Sequence, residues 1–377
     1  MIELSETRKK IDEVDRQIVA LFEERMRLGT DVAEYKRAVG KPILDKEREK
    51  QKIESMQALA TNEFNKKAVA ELFRQLMSLN RKYQYTLIGD NEDGVQNLFQ
   101  RVEQLPMSDE VCIVYQGVPG AYSEQCVCQY FGEHPKRLYV EQFKDVMEML
   151  EQGKADYGVL PIENSSAGTV SGIYDLLTEY EELCIVGEEI VKVDHALLGT
   201  KDATMGDVKE VYSHPQGIMQ SQKFLEAHHL KAHECSNTAK SAEMIAQLGD
   251  KTKGAIASEY AGKLYGLQVL EKKINTEEGN CTRFIILKKG RVYQKNAKKI
   301  TISFILPHET GSLYEILSNV IHNDLNMTRI ESRPIENHQW EYRFFVEFIG
   351  NLQDIAVQNA CKAISEEALE FKVLGNY

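Results

Sequence analysis

The chain has seven cysteines but no Cys-x-x-Cys pair, and their odd, scattered count does not make a disulfide framework. They read as reduced thiols of a cytoplasmic protein. Cys281 alone stands beside a polar motif, where a small buried residue and a nucleophile are both open readings. No apolar run is long enough to span a bilayer, and Met1-Ile2-Glu3-Leu4-Ser5-Glu6 lacks the regions of a signal peptide, so no membrane role is expected. Positive charge is in deficit: 46 Lys and Arg against 58 Asp and Glu leave a net charge of −12. That balance argues against nucleic acid or an anionic membrane as partner, but not against an anionic small molecule in a locally basic pocket. The dinucleotide Gly-x-Gly-x-x-Gly and the phosphate-loop Gly-Lys-Ser/Thr are both absent. His228, His229 and His233 cluster without further ligands and read as a surface patch, not a metal site.

What is present falls into three textures. Residues 1–88 read as wholly helical: the run from Glu6 to Arg37 has no proline, Gly40-Lys41-Pro42 stops it, and two more helices follow. Residues 89–110 are polar and turn-rich, a linker. From 111 to 288 short apolar runs alternate with helical periods, the mark of an α/β domain with a mainly parallel sheet. A basic second linker, 289–298, precedes a strand-helix-strand-strand-helix-strand order in 299–377, which is ferredoxin-like α+β.

On the first helix Ile11, Val14, Ile18, Leu21, Phe22, Leu28 and Val32 form one apolar stripe, yet Arg25 and Lys36 fall near its centre. Snorkelling stems are one explanation. An anionic ligand inside the bundle is the other, since unpaired buried cations are costly. Asp45, Arg48 and Glu49 are neighbours on the second helix. Asn80 and Gln84 extend the apolar line of the third, either as a polar bundle end or as cavity lining. In this order, with Thr7-Arg8-Lys9-Lys10-Ile11-Asp12-x-x-Asp15, these residues resemble the all-helical chorismate mutase family. The resemblance implies an intertwined homo-oligomer, with Arg8 reaching in from a partner chain. It implies that Arg25 and Arg48 hold the carboxylates of chorismate, that Lys36 and Gln84 face its ether oxygen, and that Asp45 and Glu49 face its hydroxyl side. Asn80 stands where relatives often carry a smaller polar residue. The pericyclic rearrangement to prephenate needs no nucleophile, only a compact conformer and stabilised charge.

In the α/β region polar residues follow the strands: Glu163-Asn164-Ser165, Ser213-His214-Pro215-Gln216, and the Thr282-Arg283-Phe284 triplet opening the strand to Leu287. Singly, such residues cap helices and make turns. Together they favour a site at strand ends. They look like prephenate dehydratase, whose two α/β lobes resemble periplasmic binding proteins. Prephenate must lose CO2 and its ring hydroxyl, and hydroxide leaves poorly without a proton donor. The resemblance assigns that role to Thr282, with Arg283 anchoring a carboxylate and Glu163, Asn164, Ser213 and Gln216 binding substrate. No metal or organic cofactor is required.

In the last region Gly311-Ser312-Leu313 and Glu331-Ser332-Arg333-Pro334 resemble the ACT regulatory domain, in which these motifs bind L-phenylalanine. The resemblance over nearly the whole chain is to bifunctional chorismate mutase/prephenate dehydratases. It implies feedback on the dehydratase by phenylalanine, with a mutase indifferent to removal of residues beyond about 289. Two rival readings are an amino-acid-binding regulatory protein with a silent cleft, and an arogenate dehydratase.

Overall fold

The computed structural model describes residues 3–88, 94–277, 279–335 and 340–377. Freedom from proline lets the first helix, α1 (Leu4–Val39), run for 36 residues. Gly40 ends it at φ 67°, its N–H closing on the Lys36 carbonyl, in a left-handed conformation that suits glycine. Asp45 then caps α2 (Lys46–Gln57), its carboxylate accepting the Arg48 N–H at 3.0 Å. The third helix is α3 (Glu63–Ile88). Residues 89–93 of the first expected linker lie outside the described residues.

The strands that follow are β1 (Gln100–Val102), β2 (Cys112–Gln116), β3 (Lys136–Val140), β4 (Tyr157–Asn164), β5 (Gly168–Thr169) and β6 (Leu183–Lys192). Among them lie the helices α4 (Tyr122–Phe131), α5 (Phe143–Glu151) and α6 (Ile173–Glu179). A second run holds β7 (Ala196–Gly199), β8 (Glu210–Ser213), β9 (Lys231–Glu234), β10 (Lys253–Ala257) and β11 (Gln268–Glu271). Its helices are α7 (Pro215–Gln220), α8 (Gln222–Ala227), α9 (Thr238–Leu248) and α10 (Glu259–Tyr265). Then come β12 (Cys281–Lys289) and β13 (Val292–Gln294), and finally β14 (Lys299–Ile305), α11 (Ser312–His322), β15 (Met327–Pro334), β16 (Tyr342–Ile349), α12 (Ile355–Glu367) and β17 (Glu370–Asn376).

The chain forms two compact units, Met1–Phe99 with Ile302–Val373, and Gln100–Thr301 with Leu374–Tyr377. In the first, α1 and α3 come so close at Gly29 that a Cβ there would lie 2.0 Å from the Asn80 amide nitrogen. The one glycine inside α1 is therefore a contact residue. Much of the α1 stripe is left uncovered: Ile11, Val14, Ile18 and Leu21 are each more than half exposed. The ferredoxin-like order of the last region is present, with its strands in the spatial order β15-β16-β14-β17. Ile43, Tyr85 and Ala363 share a small buried cluster that joins α3 to α12.

The second unit has two lobes. The first is a sheet in the order β3-β2-β4-β12-β6; the second is β11-β7-β10-β8-β9. The sheets are mixed, not mainly parallel. The reason is topological: β6 leaves the first lobe and β12 returns to it, so β12 lies between β4 and β6 antiparallel to both. Two crossing stretches, 193–195 and the described residues of 272–277 and 279–280, are hydrogen-bonded to each other. Val193 N–H donates to the Asn280 carbonyl at 2.8 Å, and Ile274 N–H to the His195 carbonyl at 2.9 Å. The expected linkers contribute β1 and β13, which pair in parallel from Gln100↔Val292. Three-residue strands are too short to show a period.

Candidate active sites

In the helical unit the two centred cations of α1 are half-buried, and each donates to a main-chain carbonyl. Arg25 reaches Leu76 O at 2.8 Å, and the Lys36 ammonium reaches Ile43 O. Burial lowers the pKa of both, partly opposed by the field of Glu49 on Arg25 and of Asp45 and Glu49 on Lys36. Gln84 is 4% exposed and donates to Asn80 Oδ1 at 2.5 Å; its own carbonyl oxygen is buried without a partner. An orphaned buried acceptor in a bundle that also holds two half-buried cations suits a polar ligand better than an ordinary core. Glu49 is held by a residue the sequence reading missed: Arg81 Nη1 lies 2.6 Å from both of its carboxylate oxygens. One oxygen of the Asp45 carboxylate is engaged at the α2 N-terminus. Arg8 and Arg48 are exposed on this chain.

In the cleft, Thr282 and Asn164 are cross-strand partners, and the Asn164 amide donates to Thr282 Oγ1 at 3.0 Å. Asn164 is fixed on every side. Its oxygen accepts Ser166 N–H at 3.1 Å, Ser166 O–H at 2.8 Å and Ala167 N–H at 3.0 Å, and its nitrogen also reaches Asn280 Oδ1 at 2.9 Å. The chain of bonds continues into the second lobe. Gln220 donates to Ser166 Oγ at 2.8 Å, His195 Nε2 lies 2.9 Å from Gln220 Oε1, and Tyr122 Oη lies 3.1 Å from His195 Nδ1. Because Gln220 Oε1 can only accept, His195 carries its proton on Nε2, and its bare Nδ1 faces the Tyr122 hydroxyl, which also donates to the Asp194 carbonyl at 3.1 Å. Burial lowers the pKa of His195, against the opposing hydrogen bond of Gln220, so the neutral tautomer is favoured. Every bond from His195 onward therefore donates toward Thr282, whose own proton remains to be given away.

Three expected substrate contacts have partners within the protein itself. Side chains alternate along a strand, so Arg283 faces away from Thr282, and its register partner is Glu163, as Thr282's is Asn164. The Arg283 guanidinium spans Glu163 at 3.3 Å and Glu188 at 3.0 Å. Glu163 and Arg283 thus serve the far face of the sheet. Ser213 is fully buried and donates to Ile256 O at 2.7 Å, which ties β8 to β10. Gln216 is half-buried in the first turn of α7, which His214 caps. Gln220, four residues on, was missed; helical spacing from Gln216 was its only signal, and His195 had none.

Gly311 opens α11 at φ 91°, and Ser312 donates to Glu309 O at 3.0 Å, with Leu313 half-buried beside it. Glu331, Ser332, Arg333 and Pro334 end β15, which pairs with β16 from Met327↔Phe348 to Pro334↔Tyr342.

Residues 7–85 match the family model of chorismate mutase type II, and residues 113–292 that of prephenate dehydratase. The bifunctional chorismate mutase/prephenate dehydratase of Escherichia coli K12 is 32% identical over 98% of this chain and 95% of its own. A solved prephenate dehydratase from Arthrobacter aurescens, described in complex with L-Phe, aligns at TM-score 0.66 and 27% identity, covering 71% of this chain and 89% of its own. A structure described as the quorum-quenching acylase GqqA aligns at TM-score 0.65 and 30% identity over 70% and 96%. Matched from end to end by a two-activity relative, the chain belongs to the bifunctional chorismate mutase/prephenate dehydratases, which carry chorismate through prephenate to phenylpyruvate in phenylalanine biosynthesis.

Proposed function

We propose that the dehydratase acid is Thr282, made effective by the oriented hydrogen-bond chain behind it. The observation that carries this reading is the Asn164 amide donating to Thr282 Oγ1 while Asn164 itself cannot turn. A hydroxyl that accepts one hydrogen bond becomes a better donor of its own, because successive bonds polarise one another. As the C–CO2 bond breaks, its electron pair enters the ring. The C–OH bond then breaks with the Thr282 proton moving onto the departing oxygen, so that water, CO2 and the aromatic ring result. Thr282 is reprotonated from solvent. Gln216, at the start of α7, is read as orienting prephenate from the second lobe. The test is Thr282→Ala and Thr282→Ser on added prephenate: Ala loses activity, Ser keeps part of it, and equal rates in Ala and wild type would sink the reading.

The mutase site is read as Arg25, Lys36, Arg48, Glu49, Asn80 and Gln84, completed by Arg8 of a second copy. The exposed α1 stripe supports a homo-oligomer, since so long an apolar face calls for a covering partner. Lys36 and Gln84 act where negative charge grows on the ether oxygen. Residues 299–377 are read as an ACT domain in which Gly311–Leu313 and Glu331–Pro334 bind L-phenylalanine, a reading supported by the ferredoxin-like order and by the left-handed Gly311 at a helix start. The reduced state of all seven cysteines suits a cytoplasmic enzyme.

A further inference from the structure

Arg81 is 8% exposed, and its guanidinium lies between two carboxylates from different parts of the first unit. Nη1 holds both oxygens of Glu49 on α2, and Nη2 lies 3.1 Å from Glu367 Oε1 on α12 of the ferredoxin-like region. Glu367 is in turn gripped at its other oxygen by Asn319 of α11, at 2.9 Å. One turn along α3, Tyr85 donates to Glu366 Oε2 at 2.6 Å, and the neighbouring Lys82 donates to Ser318 Oγ at 2.8 Å. A buried cation needs paired charge, and here half of that charge comes from each region.

We propose that Arg81 is a positioning residue for the mutase, and that the ferredoxin-like region holds it in place. The argument is one of competing cations. Glu49 lies within the fields of both Arg25 and Lys36. A carboxylate released there turns to the nearest ammonium, and a Lys36 neutralised by Glu49 no longer stabilises an ether oxygen. Arg81 takes both Glu49 oxygens and so leaves Lys36 to the substrate. Glu367 and Asn319 fix the guanidinium from behind, which makes the mutase site dependent on side chains more than 200 residues further along the chain. Arg81 touches no reacting atom.

This rests on the mutase reading of Lys36 and Glu49, and the test separates the two. The full-length protein is assayed as wild type, Arg81→Met, Glu367→Gln, Glu49→Gln, Lys36→Ala and Arg81→Met/Glu49→Gln, by chorismate consumption. Dehydration of added prephenate serves as an internal control of folding. Arg81→Met is expected to lower mutase kcat roughly tenfold with a smaller change in KM, and Glu367→Gln, an isosteric change, to lower it a few-fold, within the usual coupling of contacting residues. In the Glu49→Gln background Arg81→Met should cost about twofold or less, because no carboxylate remains to capture Lys36. Equal loss in both backgrounds would make Arg81 a mere packing residue and overturn the proposal. Wild-type kcat in both Arg81→Met and Glu367→Gln would overturn it too. If Arg81→Met fails to fold, Glu367→Gln alone decides. Full activity in Lys36→Ala and Glu49→Gln would instead remove the mutase reading itself.

Discussion

At the residue scale, chemistry depends on what stands behind a side chain. Thr282 is an ordinary hydroxyl until Asn164 fixes its lone pair, so Thr282→Ala should slow dehydration about 10²- to 10⁴-fold while prephenate made by the mutase accumulates. His195 gives a pH prediction. Its folded pKa lies below its unfolded value of about 6.5, because burial disfavours the cation. Its contribution to stability is therefore complete above about pH 6.5 and is lost as pH falls from there through the folded value. Urea denaturation from pH 7.5 to pH 5 should show that decline, and His195→Gln should flatten it. Arg283 predicts the opposite of a substrate contact. Arg283→Ala takes one cation from Glu188, which keeps Lys299, and should cost about 1 to 2 kcal/mol of stability with little change in KM for prephenate.

At the element scale, the α1–α3 contact at Gly29 sets where Asn80 and Gln84 point. Gly29→Ala adds helix propensity, about 1 kcal/mol, but its Cβ displaces the Asn80 amide and breaks the bond to Gln84. Melting temperature should hold or rise while mutase turnover falls about tenfold, the worth of one hydrogen bond. A loss of both together would place the strain in the backbone. Lys36→Ala in the same helix should cost the mutase roughly 3 kcal/mol of transition-state stabilisation and spare the dehydratase.

At the scale of the whole molecule, two regions distant in sequence share one compact unit. The sequence treats the C-terminal region as removable without harm to the mutase. The ion pairs of Arg81 and the bond from Tyr85 to Glu366 argue otherwise, so a chain ended near 289 should lose mutase activity as well as the proposed response to phenylalanine. On the intact protein, Arg333→Ala should weaken phenylalanine binding by calorimetry, and unchanged affinity would leave the β15 motif without its role. Ile18→Glu, in the middle of the exposed stripe, tests the proposed homo-oligomer: sedimentation should show a smaller species and mutase activity should fall with it, as the proposed role of Arg8 in a second copy's site requires.

Helix limits, the strand before Lys288 and the β-α-β-β-α-β order were legible in the chain because each is a local matter of period, proline and glycine. Thr282, Asn164, Lys36 and Gln84 stand out as candidates in the chain because they sit in ordered motifs or against an apolar stripe. Only the fold decided that Arg283 and Glu163 pair with each other, since a register of β12 against β4 assigns alternate residues to opposite faces. Only the fold joined His195 and Gln220 to Thr282, across two lobes whose crossing segments lie some 80 residues apart. Arg81 reads as a surface cation in a helix. What makes it part of a site is a carboxylate on α12, and no local pattern records a partner that the chain supplies only after folding back.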